Sequence, residues 1–166
     1  MNIITVTLNP AYDIHCTVTD FAPFAENYAD SVFRMCGGKG INISKMLNEI
    51  SVSNEACIVL GRENAAYFEE FLKNYRCKKF YTDGAIRENI TVHSPGAKET
   101  RISADSFSVS PELFSEISDY ILSRSGSGTI IAFSGRLPRG IEKSAVLRFF
   151  ERLQSSGALL SLDSNS

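Results

Sequence analysis

The chain contains no run of about 18 apolar residues, so no segment is long enough to cross a bilayer as a helix. Its start, Met-Asn-Ile-Ile-Thr-Val-Thr-Leu, lacks the basic opening and long apolar core of a signal peptide and reads as a strand. There is no excess of positive charge either. A formal net charge of -2 argues against a general nucleic-acid binder. No Cys-x-x-Cys pair occurs. Cys16, Cys36, Cys57 and Cys77 stand far apart, so zinc or dithiol chemistry is not expected, and reduced thiols in a cytoplasmic protein are. His15 and His93 have no partners at metal-ligand spacing, so no metal site is expected through them. No internal repeat and no low-complexity tract appears. The 166 residues suit one domain, or part of a larger one.

What is present centres on the stretch from Cys36 to Ile50. Ile43, Met46, Leu47 and Ile50 follow the i, i+3, i+4, i+7 spacing of an amphipathic helix, which predicts that this stripe faces the core. Gly37, Gly38, Lys39 and Gly40 come just before it. Glycines let a backbone approach a ligand, and the first turn of a helix offers free N–H groups, so this entry suits an anion. It is not a Walker A loop, because Gly-Lys-Ser/Thr is missing. It is not a dinucleotide fingerprint, because Ile43 replaces the last glycine. A plain tight turn that packs a helix on a sheet fits the same residues.

Around this centre the chain alternates strands and helices. Residues 2–8 read as a strand ended by Asn9-Pro10. Residues 12–19 alternate sharply, with Asp13, His15 and Thr17 on a polar face. A weaker extended segment covers 27–35. After the first helix come a buried strand at 56–60 and a helix capped by Asn64. A short strand at 79–81 follows, then a hairpin of 89–94 with 99–104 turning at Ser94-Pro95-Gly96-Ala97. Ser110-Pro111 opens a helix through residue 121. A strand at 129–133, a loop at 134–140, a helix stopped by Gly157 and a last strand at 158–162 complete the chain. Such alternation predicts an α/β fold with a parallel sheet flanked by helices. Segments 12–35 and 87–105 do not fit it and are expected to pair into a small second sheet.

Several side chains could carry chemistry. Asp13 is the only carboxylate on its strand's polar face; it could bind sugar hydroxyls or simply be solvated. Lys39 suits an anion, and Asn42, one turn into the helix, would face the same ligand. Arg87 offers a fork that fits phosphate. The loop Ser134-Gly135-Arg136-Leu137-Pro138-Arg139-Gly140 follows a strand's C-terminal end, the edge where open α/β sheets bind ligands.

Thr7-Leu8-Asn9-Pro10-Ala11-Tyr12-Asp13 followed by Gly37-Gly38-Lys39-Gly40-Ile41-Asn42 resembles the start of the 1-phosphofructokinases and tagatose-6-phosphate kinases, within the ribokinase-like (PfkB) carbohydrate kinases. Gly84-Ala85-Ile86-Arg87-Glu88-Asn89 resembles the family's Gly-x-Thr-Arg-x-Asn. Ser134-Gly135-Arg136-Leu137-Pro138 resembles Ser-Gly-Ser-Leu-Pro, and Leu162-Asp163-Ser164 resembles its Asp-Thr/Ser-Ser segment. The motifs occur in family order across the chain. The resemblance implies a ribokinase-like core with a β lid formed by 12–35 and 87–105, often a homodimer contact. It implies sugar-phosphate binding by Asp13, Asn27, Gly38, Lys39, Gly40, Asn42, Arg87, Asn89, Ser134, Gly135 and Arg136. Arg136 replaces the usual serine and could add a phosphate contact or block the pocket. Ile86 replaces the family threonine.

Family members are about twice as long. The expectation is that residues 1–166 supply the sugar-phosphate half of a kinase domain. The catalytic base, ATP and Mg2+ would then belong to the other half, with neither cofactor bound here and no transfer by this chain alone. The expected reaction is phosphoryl transfer to a ketose phosphate, foremost fructose 1-phosphate. Two alternatives stay open: a non-catalytic sugar-phosphate-binding or dimerisation module, and a kinase for an unphosphorylated sugar or nucleoside. An open sheet edge would further favour self-association or low stability.

Overall fold

The computed structural model describes residues 2–96 and 98–163. Ala97 of the expected turn and Ser164 of the last motif lie outside the described residues. Five strands form one all-parallel sheet: β1 (Asn2–Thr7), β4 (Glu55–Gly61), β5 (Cys77–Thr82), β8 (Thr129–Ser134) and β9 (Leu159–Asp163). Their order is β5-β4-β1-β8-β9. The chain moves outward from β1 through β4 to β5, then returns to β8 on the other side of β1. The strand order therefore reverses at β1, and the crevice beyond the C-terminal ends of β1 and β8 is the switch point where such sheets bind ligands.

Four helices connect these strands: α1 (Lys39–Glu49), α2 (Ala66–Phe71), α3 (Pro111–Leu122) and α4 (Lys143–Ser155). Right-handed crossovers running in opposite directions set α1 and α2 on one face and α3 and α4 on the other. Ser110 caps α3 as expected, accepting the Leu113 N–H at 3.2 Å. Asn64 does not cap α2. Its side chain clamps Ile86 instead, accepting the Ile86 N–H at 2.7 Å and donating to its carbonyl at 3.0 Å. A residue pair 22 positions apart thereby fixes the backbone just before Arg87.

The second sheet is the one the two unplaced segments were expected to form. Its order is β3-β2-β6-β7, with β2 (Ala11–Thr17), β3 (Ser31–Gly37), β6 (Arg87–His93) and β7 (Thr100–Ser103). β2 leaves from the end of β1 and β6 from the end of β5, so this sheet rises from the C-terminal edge of the first. Its strands bring the two histidines together. His15 and His93 stack with centroids 5.2 Å apart and share an N–H···N bond of 2.9 Å, and Glu99 lies 2.9 Å from the other nitrogen of His93. Side chains 78 positions apart thus become partners in a hydrogen bond, which sequence spacing could not show.

The helix α1 departs from expectation in its rotation. Its buried residues are Gly40, Ile41 and Ser44. Of the expected core stripe, Met46 is 59% and Ile50 66% exposed. The reason is close packing on β1. A Cβ on Gly40 would lie 2.5 Å from the Val6 carbonyl oxygen, and the Ser44 hydroxyl meets that of Thr5 at 2.6 Å. Small residues therefore define the contact face. At about 100° per residue the stripe turns to the flank opposite Lys45, whose ammonium lies 5.9 Å from the Phe71 ring of α2.

Candidate functional site

Two groups of side chains converge at the switch point. The first hangs on the second sheet. Asp13 and Asn89 sit opposite each other in the parallel β2–β6 register. Asn89 donates to Asp13 Oδ1 at 2.8 Å and accepts from Arg87 at 3.3 Å. Arg101 of β7 reaches the same carboxylate at 3.7 Å. Gly37 makes room for it: a Cβ there would stand 2.1 Å from Asp13 Oδ2. Arg87, Asn89 and Asp13 thus form one hydrogen-bonded chain leading to the mouth of the crevice.

The second group is built on the turn from β3 into α1, the loop after β8 and the end of β9. Gly135 closes on Lys39, whose Cβ lies 3.8 Å from where a Gly135 side chain would begin. Lys39 Nζ pairs with Asp163 Oδ1 at 2.9 Å, and the Gly135 N–H donates to the Asp163 carbonyl at 2.8 Å. Both side chains of this ion pair are substantially exposed, so it is worth about 0–1 kcal/mol and an incoming anion can replace the carboxylate. α1 starts at Gly38 without a side-chain cap, which leaves its first N–H groups open in the same place. Asn42 stands exposed on this turn, and Ser134 is buried at the end of β8.

Arg136 links the two groups. With Arg87, Asn9, Ser106 and Arg139 it lines a small hollow. Among the described residues neither Arg87 nor Arg136 has a carboxylate within ion-pair distance, whereas Arg139 pairs with Asp105. Burial lowers the pKa of the Arg87 guanidinium. Asp13 opposes that shift, and the cations Arg136 and Arg101 add to it. A half-buried cation crowded by two others is relieved by an anion. Asn9 Oδ1, Arg87 Nε and Ser106 Oγ are buried without a partner there, a cost of roughly 1–3 kcal/mol each if nothing binds. The buried carboxylate of Glu55 offers a contrast. Tyr120, Arg76 and Arg124 satisfy it at the other end of the sheet, so its role is structural.

Lys39 turns to Asp163 and Arg87 to Asn89. They occupy neighbouring groups joined by the 134–136 turn. Asn27 stands apart from both. Its amide staples its own loop, accepting from Ala22 at 2.8 Å and donating to Ala22 at 2.8 Å and Ala25 at 2.9 Å, which commits both of its amide hydrogens. Asn9, Arg101, Ser106 and Asp163 enter the site without having been singled out as binding residues. Asn9 and Asp163 lie inside quoted motifs, but Ser106 sits in a loop with no local signal. That loop is placed by long-range stitching, with the Val109 N–H on the Arg139 carbonyl at 2.9 Å and the Ala104 N–H on the Glu88 carbonyl at 3.0 Å. Among the described residues no three His, Cys, Asp or Glu side chains stand together as metal ligands.

No family model matches the chain. It is 27% identical to the 1-phosphofructokinase of Haemophilus influenzae, over 99% of this chain and 53% of that protein. It is also 27% identical to a tagatose-6-phosphate kinase of Staphylococcus epidermidis, over 98% of this chain and 53% of that one. The solved phosphofructokinase-2 from Escherichia coli, in complex with substrates and products, superposes with a TM-score of 0.91 at 21% identity, covering 99% of this chain and 54% of that chain. The chain is thus a homologue of the first two kinases and shares the α/β fold of the third. It spans about half the length of the curated relatives it matches.

Proposed function

We propose that this chain forms the sugar-phosphate side of a kinase acting on a ketose phosphate, with fructose 1-phosphate the foremost candidate and fructose 1,6-bisphosphate the product. One observation carries the reading. Two guanidinium groups without carboxylate partners, Arg87 and Arg136, face one hollow at the switch point of an α/β sheet, beside a carboxylate braced by Asn89. Two cations beside one carboxylate suit a ligand with an anionic end and a hydroxyl-rich body. A kinase for a neutral sugar has no use for that pair.

In this reading Arg87 and Arg136 grip the phosphate and Asp13 accepts hydroxyls of the sugar. Lys39 and the N–H groups opening α1 face the acceptor end, and Gly38, Gly40, Asn42, Ser134 and Gly135 shape the wall. The second sheet acts as a lid and is the proposed contact for a second copy. When bound, ATP supplies the phosphoryl group and Mg2+ spreads its charge. Among the described residues no three His, Cys, Asp or Glu side chains stand together, so the residues in this crevice do not fit a Mg2+ site, and they are given acceptor-side roles alone. The acceptor oxygen forms the new P–O bond, the bond to the ADP leaving group breaks, and the hydroxyl proton passes to a base outside this chain. Phosphate binding to Arg87 and Arg136 costs the chain little reorganisation, because the desolvation of Arg87 is already met in the folded state.

Calorimetry with fructose 1-phosphate tests this. Binding is expected, with Arg87→Ala weakening it by roughly tenfold or more. No heat at millimolar ligand removes the reading. With MgATP the chain alone is expected to show no turnover, and clear turnover would show that the base lies within it. The cation-lined hollow and the exposed apolar residues of the second sheet suit one second reading, a sugar-phosphate-binding or dimerising module without chemistry. It shares the binding outcome and differs in showing no activity even when the remaining half of a relative is supplied.

A further inference from the structure

The second sheet carries three linked side chains that the reading above leaves unused: Glu99, His93 and His15. Glu99 Oε1 lies 2.9 Å from His93 Nδ1, and His93 Nε2 lies 2.9 Å from His15 Nδ1. The partners fix where the protons sit. An ionised carboxylate only accepts, so His93 Nδ1 carries a hydrogen and donates it to Glu99. The neutral ring then has a bare Nε2, which accepts from His15 Nδ1–H. Neutral His15 is left with a bare Nε2 of its own, and among the described residues that atom has no protein partner. One oriented lone pair therefore stands at the far end of the series. Glu99 and His15 sit on opposite nitrogens of His93, so the three do not converge on a metal ion. As a clasp the series stabilises little, because the Glu99 side chain is 66% exposed. What it fixes is the direction of the His15 ring.

Side chains alternate across a strand. Asp13 and His15 on β2, and Asn89 and His93 on β6, therefore share one side of the second sheet. That side carries the hydrogen-bonded Asp13, Asn89 and Arg87 at the mouth of the crevice. Along the paired strands Arg87 stands beside Ala11, Asn89 beside Asp13 and Thr91 beside His15. A ligand with its phosphate on Arg87 and its hydroxyls at Asp13 points along this row toward His15, about 7 Å further on. We infer that His15 Nε2 accepts a hydrogen bond from a hydroxyl of the sugar body beyond Asp13, with His93 and Glu99 as positioning residues. The inference rests on the sugar-phosphate reading above. A bare nitrogen takes an O–H and repels an anionic oxygen, so the contact selects a hydroxyl over a second acid group at that end.

The test combines nitrogen NMR spectra of the imidazoles with calorimetry at about pH 8, where a free imidazole is neutral. In wild type, His15 is expected to show a protonated Nδ1 and a bare Nε2. His15→Ala is expected to weaken fructose 1-phosphate binding by roughly fivefold, the size of one hydrogen bond, and to leave inorganic phosphate unchanged. Glu99→Lys inverts the series. An ammonium only donates, so His93 Nδ1 must accept, His93 Nε2–H donates to His15 Nδ1, and His15 Nε2 carries the proton. The spectra are expected to report that reversal. Fructose 1-phosphate is expected to lose roughly fivefold relative to inorganic phosphate, which corrects for the added charge. Side chains that only brace β2 against β6 would give no loss confined to the hydroxyl-bearing probe. A protonated Nε2 on wild-type His15, an unreversed ring in Glu99→Lys, or equal effects on both probes in either variant overturns the inference, while wild-type binding keeps the sugar-phosphate reading. Failure of wild type to bind fructose 1-phosphate overturns both. Glu99 is exposed, so Glu99→Lys decides the matter even where His15→Ala does not fold.

Discussion

Single residues here carry two kinds of constraint, space and protonation. Gly37 is needed because Asp13 occupies the volume a side chain would take. Gly37→Ala must push Asp13 off Asn89 or shift β3. It is expected to cost about 1–3 kcal/mol in urea denaturation and to weaken sugar-phosphate binding in the same protein. Protonation acts at high pH. Burial pushes the Cys36 thiol from an ordinary 9.0 up to about 12 and the Cys77 thiol up to about 11. Tyr81 is pushed from 10.0 to about 12 by burial and by donating to Glu69. The folded chain therefore keeps protons that the unfolded chain releases. Stability from these groups is fully present below pH 9 and is lost as pH rises through 11 to 12. The urea midpoint is expected to fall between about pH 8 and pH 10.5, and an unchanged midpoint would refute the sign. At neutral pH a thiol reagent should label half-exposed Cys16 first and Cys77 more slowly, because burial raises the pKa of the Cys77 thiol, with buried Cys36 and Cys57 reacting only on unfolding.

At the level of elements, the rotation of α1 separates pattern from packing. Ile41 is fully buried, whereas Ile50 on the expected core stripe faces solvent. Ile41→Ala is expected to cost about 2–5 kcal/mol, and Ile50→Ala to stay within about 0.5 kcal/mol, both read from urea midpoints. Equal losses would mean that the stripe is buried after all. The strands were more legible than this helix face. Alternation in residues 12–19 and the Pro-Gly turn marked β2 and the β6–β7 hairpin to within a few residues, because both signals are local. Helix orientation depends on what the neighbouring strand leaves room for. Here Thr5, Val6 and Thr7 of β1 accept only a glycine and a serine against them.

Both sheets of the molecule leave apolar surface uncovered. Val32, Phe33 and Ile102 are exposed on the second sheet, and Leu159 and Leu162 on β9, the last strand in the order of the first. Such surfaces favour association. Sedimentation is expected to show concentration-dependent growth toward a dimer, and Phe33→Glu on the second sheet to shift the chain toward monomer with little change in urea stability. If Phe33→Glu leaves the dimer intact while Leu162→Lys on β9 breaks it, the lid is not the contact.

The sequence by itself determined the element order, the alternation that demands a parallel sheet, the second sheet from segments 12–35 and 87–105, and a motif series shared with sugar-phosphate kinases. Those are properties of neighbours in the chain and of their period. Only the tertiary structure decided which cations meet. Lys39 went to Asp163, Arg87 met Arg136, Asn27 was left on its own loop, and Asn9 and Ser106 were drawn into one hollow. Each of these depends on contacts between residues tens of positions apart, made by closing loops on a twisted sheet. No local propensity encodes that closure, and the geometry that results is what gives the site its chemistry.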